Sequence, residues 1–338
     1  MLNNFYVGIK KFIKEYYKSF LIALVMYIIL MFPVDYYIIT GGGIMEVGDR
    51  IKVSDEYKSK GSFNLSYVSE IKGTISTYLL SYVMPDWKKI KVSDYTYDEE
   101  ENVEDINVRG TIDLLNSNSY AIKNAYLMAK KEFDVKKIDL YVYYIDKDTT
   151  NEFKVGDKIL KVNGVKVNGA DSYRKELSKY NENDIIEIEV KRKNKTKKLN
   201  IKLYKKDNMI ISGIYAEEVY SYKTNPEVEI KFKKSESGPS GGLIETLDIY
   251  NKLTKTDITN GKKIAGTGEI DSDGNILTIG EVKYKLLGAV SKKADIFIVP
   301  NGENYETCMK VKKDKNLKIK IIGVSTFSDA IKDLKKIK

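Results

Sequence analysis

The chain has 338 residues, a net charge of +9, no histidine and one cysteine, Cys308. Without histidine there is no Ser-His-Asp triad, no Cys-His pair and no imidazole metal ligand. One cysteine makes neither an internal disulfide nor a thiolate cluster, so a hydrolase built from this chain must take its base from a lysine, a carboxylate or a terminal amine.

The length suits two or three domains, and an apolar content of 42% is enough for globular cores. The positive surplus is spread along the chain and reads as a solvated lysine-rich surface. No nucleic-acid partner is expected.

Residues 1–18 carry Lys10, Lys11, Lys14 and Lys18, and residues 20–32, "FLIALVMYIILMF", come next without a polar break. Such a run is shorter than the ~20 residues a span needs. Apolar character resumes beyond Pro33 and Asp35 and reaches Ile39. The expectation is a single transmembrane helix over 19–39, with a cytoplasmic N-terminus and the rest of the chain outside the cell membrane. A cleaved signal peptide is the alternative, although the run is not succeeded by an A-x-A site.

Residues 40–124 read as an extracytoplasmic α/β region. "TGGG" at 40–43 reads as a flexible exit from the membrane. "GIMEVGDRIKV" and "GSFNLSYVSEI" alternate as half-buried strands do. "IKGTISTYLLSYVMPDW" reads as a helix ending before Pro85. Residues 92–107 are acidic and turn-rich, and 110–132 read as a helix with Ile112, Leu115, Ala121, Ala125 and Met128 apolar.

Residues 125–206 begin with strand-like "DLYVYYI". A turn at Gly156-Asp157, the strand "KILKV" and a tight Asn163-Gly164 turn come next. "ADSYRKELSKY" is a helix with Asp171 as candidate cap, and two strands flank an exposed "KNK" turn. This order, carried by "VGDKILKVNG", resembles a PDZ domain of the bacterial protease-associated type. The resemblance implies capture of peptide ends by strand addition. No glycine-containing carboxylate loop stands near "YVYYI".

Residues 207–338 hold "ESGPSGGLIETLDIYNKL". Leu243, Ile244, Leu247 and Tyr250 mark an amphipathic helix with Ser240 at its start. By itself this is a turn and cap, or a nucleophile. Glycines let a carbonyl approach the backbone, and free N–H groups at a helix start hold an oxyanion; those of Ser240 and Gly241 are the candidates. For the base there are two lysines in "IGEVKYKLLGAV". A helical wheel puts Lys283 inside the apolar stripe and Lys285 at its edge, so burial alone favours Lys283. "EIDSDGNIL" reads as a hairpin turn, not a calcium loop, because Gly274 and Val282 do not fit the loop's glycine and glutamate positions. Cys308 reads as an apolar filler.

"GPSGGL", "IAGTGEID" and "IGEVKYKLLGA" resemble, in order and spacing, the three motifs of the Lon-type serine proteases. That resemblance implies a Ser240–Lys285 dyad, with Thr267 orienting the lysine from eighteen residues upstream. The chain departs from the family at Ser237, where the family has an acidic residue, and at Gly241 and Glu281. No G-x-x-x-x-G-K-[ST] phosphate loop occurs in the sequence.

The fold class expected is α+β: an N-terminal transmembrane helix, a PDZ-like β-rich domain and a C-terminal Lon-type proteolytic domain. The combination is similar to the membrane-anchored PDZ-containing Lon-like proteases of Gram-positive bacteria. It implies an ATP-independent serine endopeptidase acting on accessible or unfolded extracytoplasmic proteins, without cofactor or metal, in a possible homo-oligomer. The alternative is a catalytically degenerate, membrane-bound peptide-binding scaffold.

Overall fold

The computed structural model describes residues 2–98, 101–147 and 152–337. Parts of two expected loops, the acidic one at 99–100 and the polar one at 148–151, lie outside these. In chain order the elements begin with α1 (Leu2–Leu30), β1 (Pro33–Glu46), β2 (Ile51–Val53), β3 (Ser62–Thr74), α2 (Ile75–Leu80) and β4 (Lys88–Lys91). Next come α3 (Val103–Ala129), β5 (Glu132–Ile145), β6 (Lys158–Val162), β7 (Val165–Lys166), α4 (Ala170–Leu177), β8 (Ile185–Arg192) and β9 (Lys195–Lys202). The chain then forms β10 (Tyr204–Lys206), β11 (Met209–Ile211), β12 (Ile214–Asn225), β13 (Val228–Ile230), α5 (Gly242–Leu253), β14 (Lys263–Gly266), β15 (Glu269–Ile270) and β16 (Ile276–Leu277). The last elements are α6 (Val282–Ser291), β17 (Ile296–Pro300), α7 (Glu303–Asp314), β18 (Lys320–Val324) and α8 (Phe327–Lys335).

Two compact units result, one of residues 1–41 and 69–95, the other of residues 42–68 and 96–338. In the first, α1 does not continue to Ile39 as expected. It stops at Leu30, and Tyr36 to Ile39 pair antiparallel with Lys91 to Lys88. Proline at 33 cannot continue a helix, and the β-branched and aromatic run after it prefers a strand. "TGGG" accordingly lies inside β1 rather than forming a flexible exit. Among the described residues no helix is long and apolar enough to cross a membrane. The helix expected before Pro85 is reduced to the short α2, because "IKGT" stays in β3 and Thr74 is the N-cap of α2.

In the second unit, β3, β14, β17 and β18 are neighbours, all parallel. Their apolar side chains and those of α3, α5 and α8 share a core that includes Phe63, Tyr126, Leu247, Ile298 and Phe327. Helix α5 is buried along all twelve residues, not amphipathic as its stripe suggested. A separate antiparallel sheet runs β12-β5-β6-β8-β9, with β7 on β6. Asn163 and Gly164 take positive φ at the tight turn after β6, as the Asn-Gly pair predicts. Asp171 does not cap α4. Gly169 is the N-cap, Asp171 pairs with Arg174 instead, and the Ala170 N–H donates to the Glu218 carboxylate on β12. Cys308 is fully buried.

Candidate active site

The turn ahead of α5 is held from two sides. Gly238 has φ +85°, and its N–H donates to the Gly110 carbonyl on α3 at 2.8 Å. A glycine is suited there because that φ is strained for other residues. The Pro239 carbonyl accepts from the Ser117 hydroxyl of α3 at 2.9 Å. The Ser240 carbonyl accepts from the Gly268 N–H at 2.9 Å and from the Thr267 hydroxyl at 3.1 Å. Ser240 is thereby fixed by α3 and by the strand end at 267–268, while its own hydroxyl makes no hydrogen bond to a described residue.

Thr267 is fully buried at the C-terminal end of β14, and its N–H donates to Ile298. Its hydroxyl oxygen also accepts from the Lys285 amine at 3.2 Å. Lys285, Thr267 and Ser240 therefore form one hydrogen-bonded chain, lysine to threonine hydroxyl to serine carbonyl. Lys285 is only 5% exposed. Burial lowers its pKa to about 8, with Glu281 acting weakly the other way. Water solvates an ammonium far better than this apolar wall does, so the neutral amine becomes accessible near neutral pH.

The structure overturns the wheel argument for Lys283. That side chain is half-buried and lies over the Tyr284 ring, whereas Lys285 is the buried one. Val282, Tyr284, Lys285, Leu286, Gly288 and Ala289 are the buried residues of α6, so the face packed inward includes Lys285 and not Lys283.

At the start of α5, Gly242 N–H bonds Pro239 and Leu243 N–H bonds Gly268. The N–H groups of Ser240 and Gly241 donate to no described residue, which leaves that pair available to a ligand oxygen. Gly242 admits no side chain, since a Cβ there would lie 2.7 Å from Ile270 and from the Ser117 hydroxyl. Asp271 accepts the N–H groups of Asp273 and Asn275, which is a hairpin turn closed by a side chain. Among the described residues no group of acidic, cysteine or histidine side chains could hold a metal.

A second candidate site is a cavity of about 1040 Å³ between α4 and the start of β12. Tyr173 and Leu177 line it from α4, and Ser212, Gly213 and Ile214 from the other side. Gly213 has φ +73°. A glycine turn leading into a strand beside a helix is thus present, but ahead of β12 rather than near "YVYYI". Sequence reading missed it because β12, far along the chain, is the strand that pairs with β5. It also missed Ser117 and Gly110, which bond from α3 to the turn ahead of α5, and Glu245, which lies against Gly241.

Two family models match the chain. Residues 118–203 match "PDZ domain", and residues 228–336 match "Lon protease (S16) C-terminal proteolytic domain". The Lon protease of Trichlorobacter lovleyi is 33% identical over 95 residues, 28% of this chain and 11% of that protein. That of Malacoplasma penetrans is 38% identical over 93 residues, 27% of this chain and 11% of the relative. The Lon protease of the Aster yellows witches'-broom phytoplasma is 32% identical over 120 residues, 36% of this chain and 14% of its own. The chain therefore spans 11–14% of the length of these relatives. The fold and the matches define a chain that joins a PDZ domain to a Lon-type proteolytic domain. Together they support a serine peptidase.

Proposed function

We propose that the chain is an ATP-independent serine endopeptidase in which Ser240 is the nucleophile and Lys285 the base. Neutral Lys285 takes the Ser240 proton as the hydroxyl attacks a peptide carbonyl, then returns it to the leaving amine. Water afterwards resolves the acyl-enzyme. Thr267 orients the amine, and the Ser240 and Gly241 N–H groups hold the oxyanion, a donor pair of a kind worth ~3 kcal/mol of barrier each. The observation that carries the reading is the buried Lys285 amine, 3.2 Å from a threonine hydroxyl that is itself bonded to Ser240.

Substrates are accessible or unfolded protein segments. The α4–β12 cavity would position their ends. We also propose attachment to the outer face of the cell membrane through the apolar end of α1, without requiring that helix to span it.

The test is cleavage of an unfolded protein substrate without nucleotide. Ser240→Ala and Lys285→Ala should each lose at least about a thousandfold in kcat, while Lys283→Ala keeps most activity. Full activity in Ser240→Ala would end the proposal. The alternative, an inactive peptide-binding scaffold, draws on one observation: the Ser240 hydroxyl makes no hydrogen bond to Lys285. Failure of a serine-reactive fluorophosphonate to label Ser240 would favour it.

A further inference from the structure

Glu245 lies in the first turn of α5, five residues beyond Ser240. It is 7% exposed, and its Oε2 has no hydrogen-bond partner. Its Oε1 comes within 3.2 Å of the point that a side chain on Gly241 would occupy, and Leu65 Cδ2 is equally close to that point. The carboxyl group thus lies against the backbone of one of the two residues assigned to the oxyanion. Nothing in the proposed cleavage uses it.

The charged groups facing Glu245 come from three segments. Arg50, between β1 and β2, favours the carboxylate. Glu236, from the loop ahead of Ser240, and Asp248, one turn along α5, oppose it. Arg50 is committed to an ion pair with Glu236, and Asp248 to one with Lys252 at 3.2 Å. No cation is therefore dedicated to Glu245. The helix N-terminus favours a carboxylate, but weakly against burial. Burial pushes the Glu245 pKa up to about 7.

We infer that Glu245 is a positioning residue for the oxyanion: with its proton it leaves the Ser240–Gly241 N–H pair free to hold that anion, and without it the carboxylate charge opposes the anion. This rests on the Ser240–Lys285 reading. The physical basis is the inverse of N–H stabilisation. A like charge a few ångströms from a forming anion, in a site poor in water, raises the barrier. Two protons then bracket the activity. Lys285 must have lost its proton and Glu245 must keep its own; the lysine's pKa of about 8 lies above the carboxyl's of about 7, so kcat/KM is bell-shaped with its maximum between the two values and falls at higher pH as Glu245 loses its proton.

Glu245→Gln keeps the shape and removes the titration. Its falling limb should vanish, with kcat/KM at pH 9 about tenfold above the parent and KM unmoved. The same falling limb in both proteins overturns the inference. Should Glu245→Gln fail to melt cooperatively, Arg50→Gln decides. Loss of the Arg50 charge should raise the Glu245 pKa and with it kcat/KM at pH 9, and an unchanged kcat/KM there overturns the inference as well. Ser240→Ala separates the two levels. If it still cleaves, the underlying mechanism falls. If it is dead while Glu245→Gln copies the parent profile, only the role of Glu245 falls.

Discussion

Lys285 is a basic side chain stored where its cation is disfavoured, and that has consequences for stability as well as rate. Its pKa falls from 10.5 to about 8 on folding, by burial. Between those values the unfolded chain binds more protons than the folded one. Stability therefore rises with pH from about 8 to about 10.5, and below about 8 the buried amine costs roughly 3 kcal/mol. Lys285→Met should be more stable than the parent at pH 7, by up to about 3 kcal/mol in urea unfolding, while losing cleavage. In Glu245→Gln, where no carboxyl titrates, kcat/KM should climb through about pH 8 with the same deprotonation. A Lys285→Met protein that is less stable at pH 7 would show that the amine is not an electrostatic burden. Thr267 is then only a structural hydroxyl.

At the scale of elements, α5 shows how polar groups are kept inside a helix buried on every side. Lys252 donates to the carbonyls of Gly48, at 2.8 Å, and of Ile51, and pairs with Asp248. Removing one partner of such a set leaves the others desolvated and unpaired, which costs about 3–5 kcal/mol. Lys252→Met should lose about that much in thermal or urea unfolding, and Lys252→Met with Asp248→Leu should recover part of it. Equal losses in the single and double variants would mean that the ion pair is not the reason. None of this was legible in the sequence, where Leu243, Leu247 and Tyr250 suggested one apolar face and left Asp248 and Lys252 to solvent. The turn before α5 was legible, because Gly-Pro-Ser-Gly-Gly restricts its own backbone. Ser240, Thr267 and Lys285 could be singled out only through the resemblance of their three motifs to those of the Lon-type serine proteases. The choice between Lys283 and Lys285 was not legible from the wheel, since it depends on which face of α6 packs inward. Pro33 marks the end of α1 in the sequence, but the pairing of Tyr36 to Ile39 with β4 was not legible, because their partners lie some fifty positions away. The position of β12 beside β5 was hidden for the same reason.

Over the whole molecule the largest imbalance is at the N-terminal helix. Phe20, Leu21, Ile22, Leu24, Val25, Met26, Tyr27, Ile28 and Ile29 are each about half exposed or more, on every side of α1. Fully burying one such side chain is worth roughly 1.5–3 kcal/mol, so a surface that covered the run would gain many times that. Lys10, Lys11, Lys14 and Lys18 come just before it. Lysines next to an apolar surface suit a bilayer with anionic headgroups, the charges meeting the phosphates and the apolar side chains the acyl chains. The full chain should therefore float with vesicles containing phosphatidylglycerol, and less so with purely zwitterionic ones or at high salt. Leu24→Glu with Ile28→Glu should stay in the soluble fraction and still cleave the unfolded substrate, because neither residue belongs to the unit that carries Ser240. If the parent and the double variant both fail to float, the apolar run is covered by protein instead, and attachment to lipid is wrong.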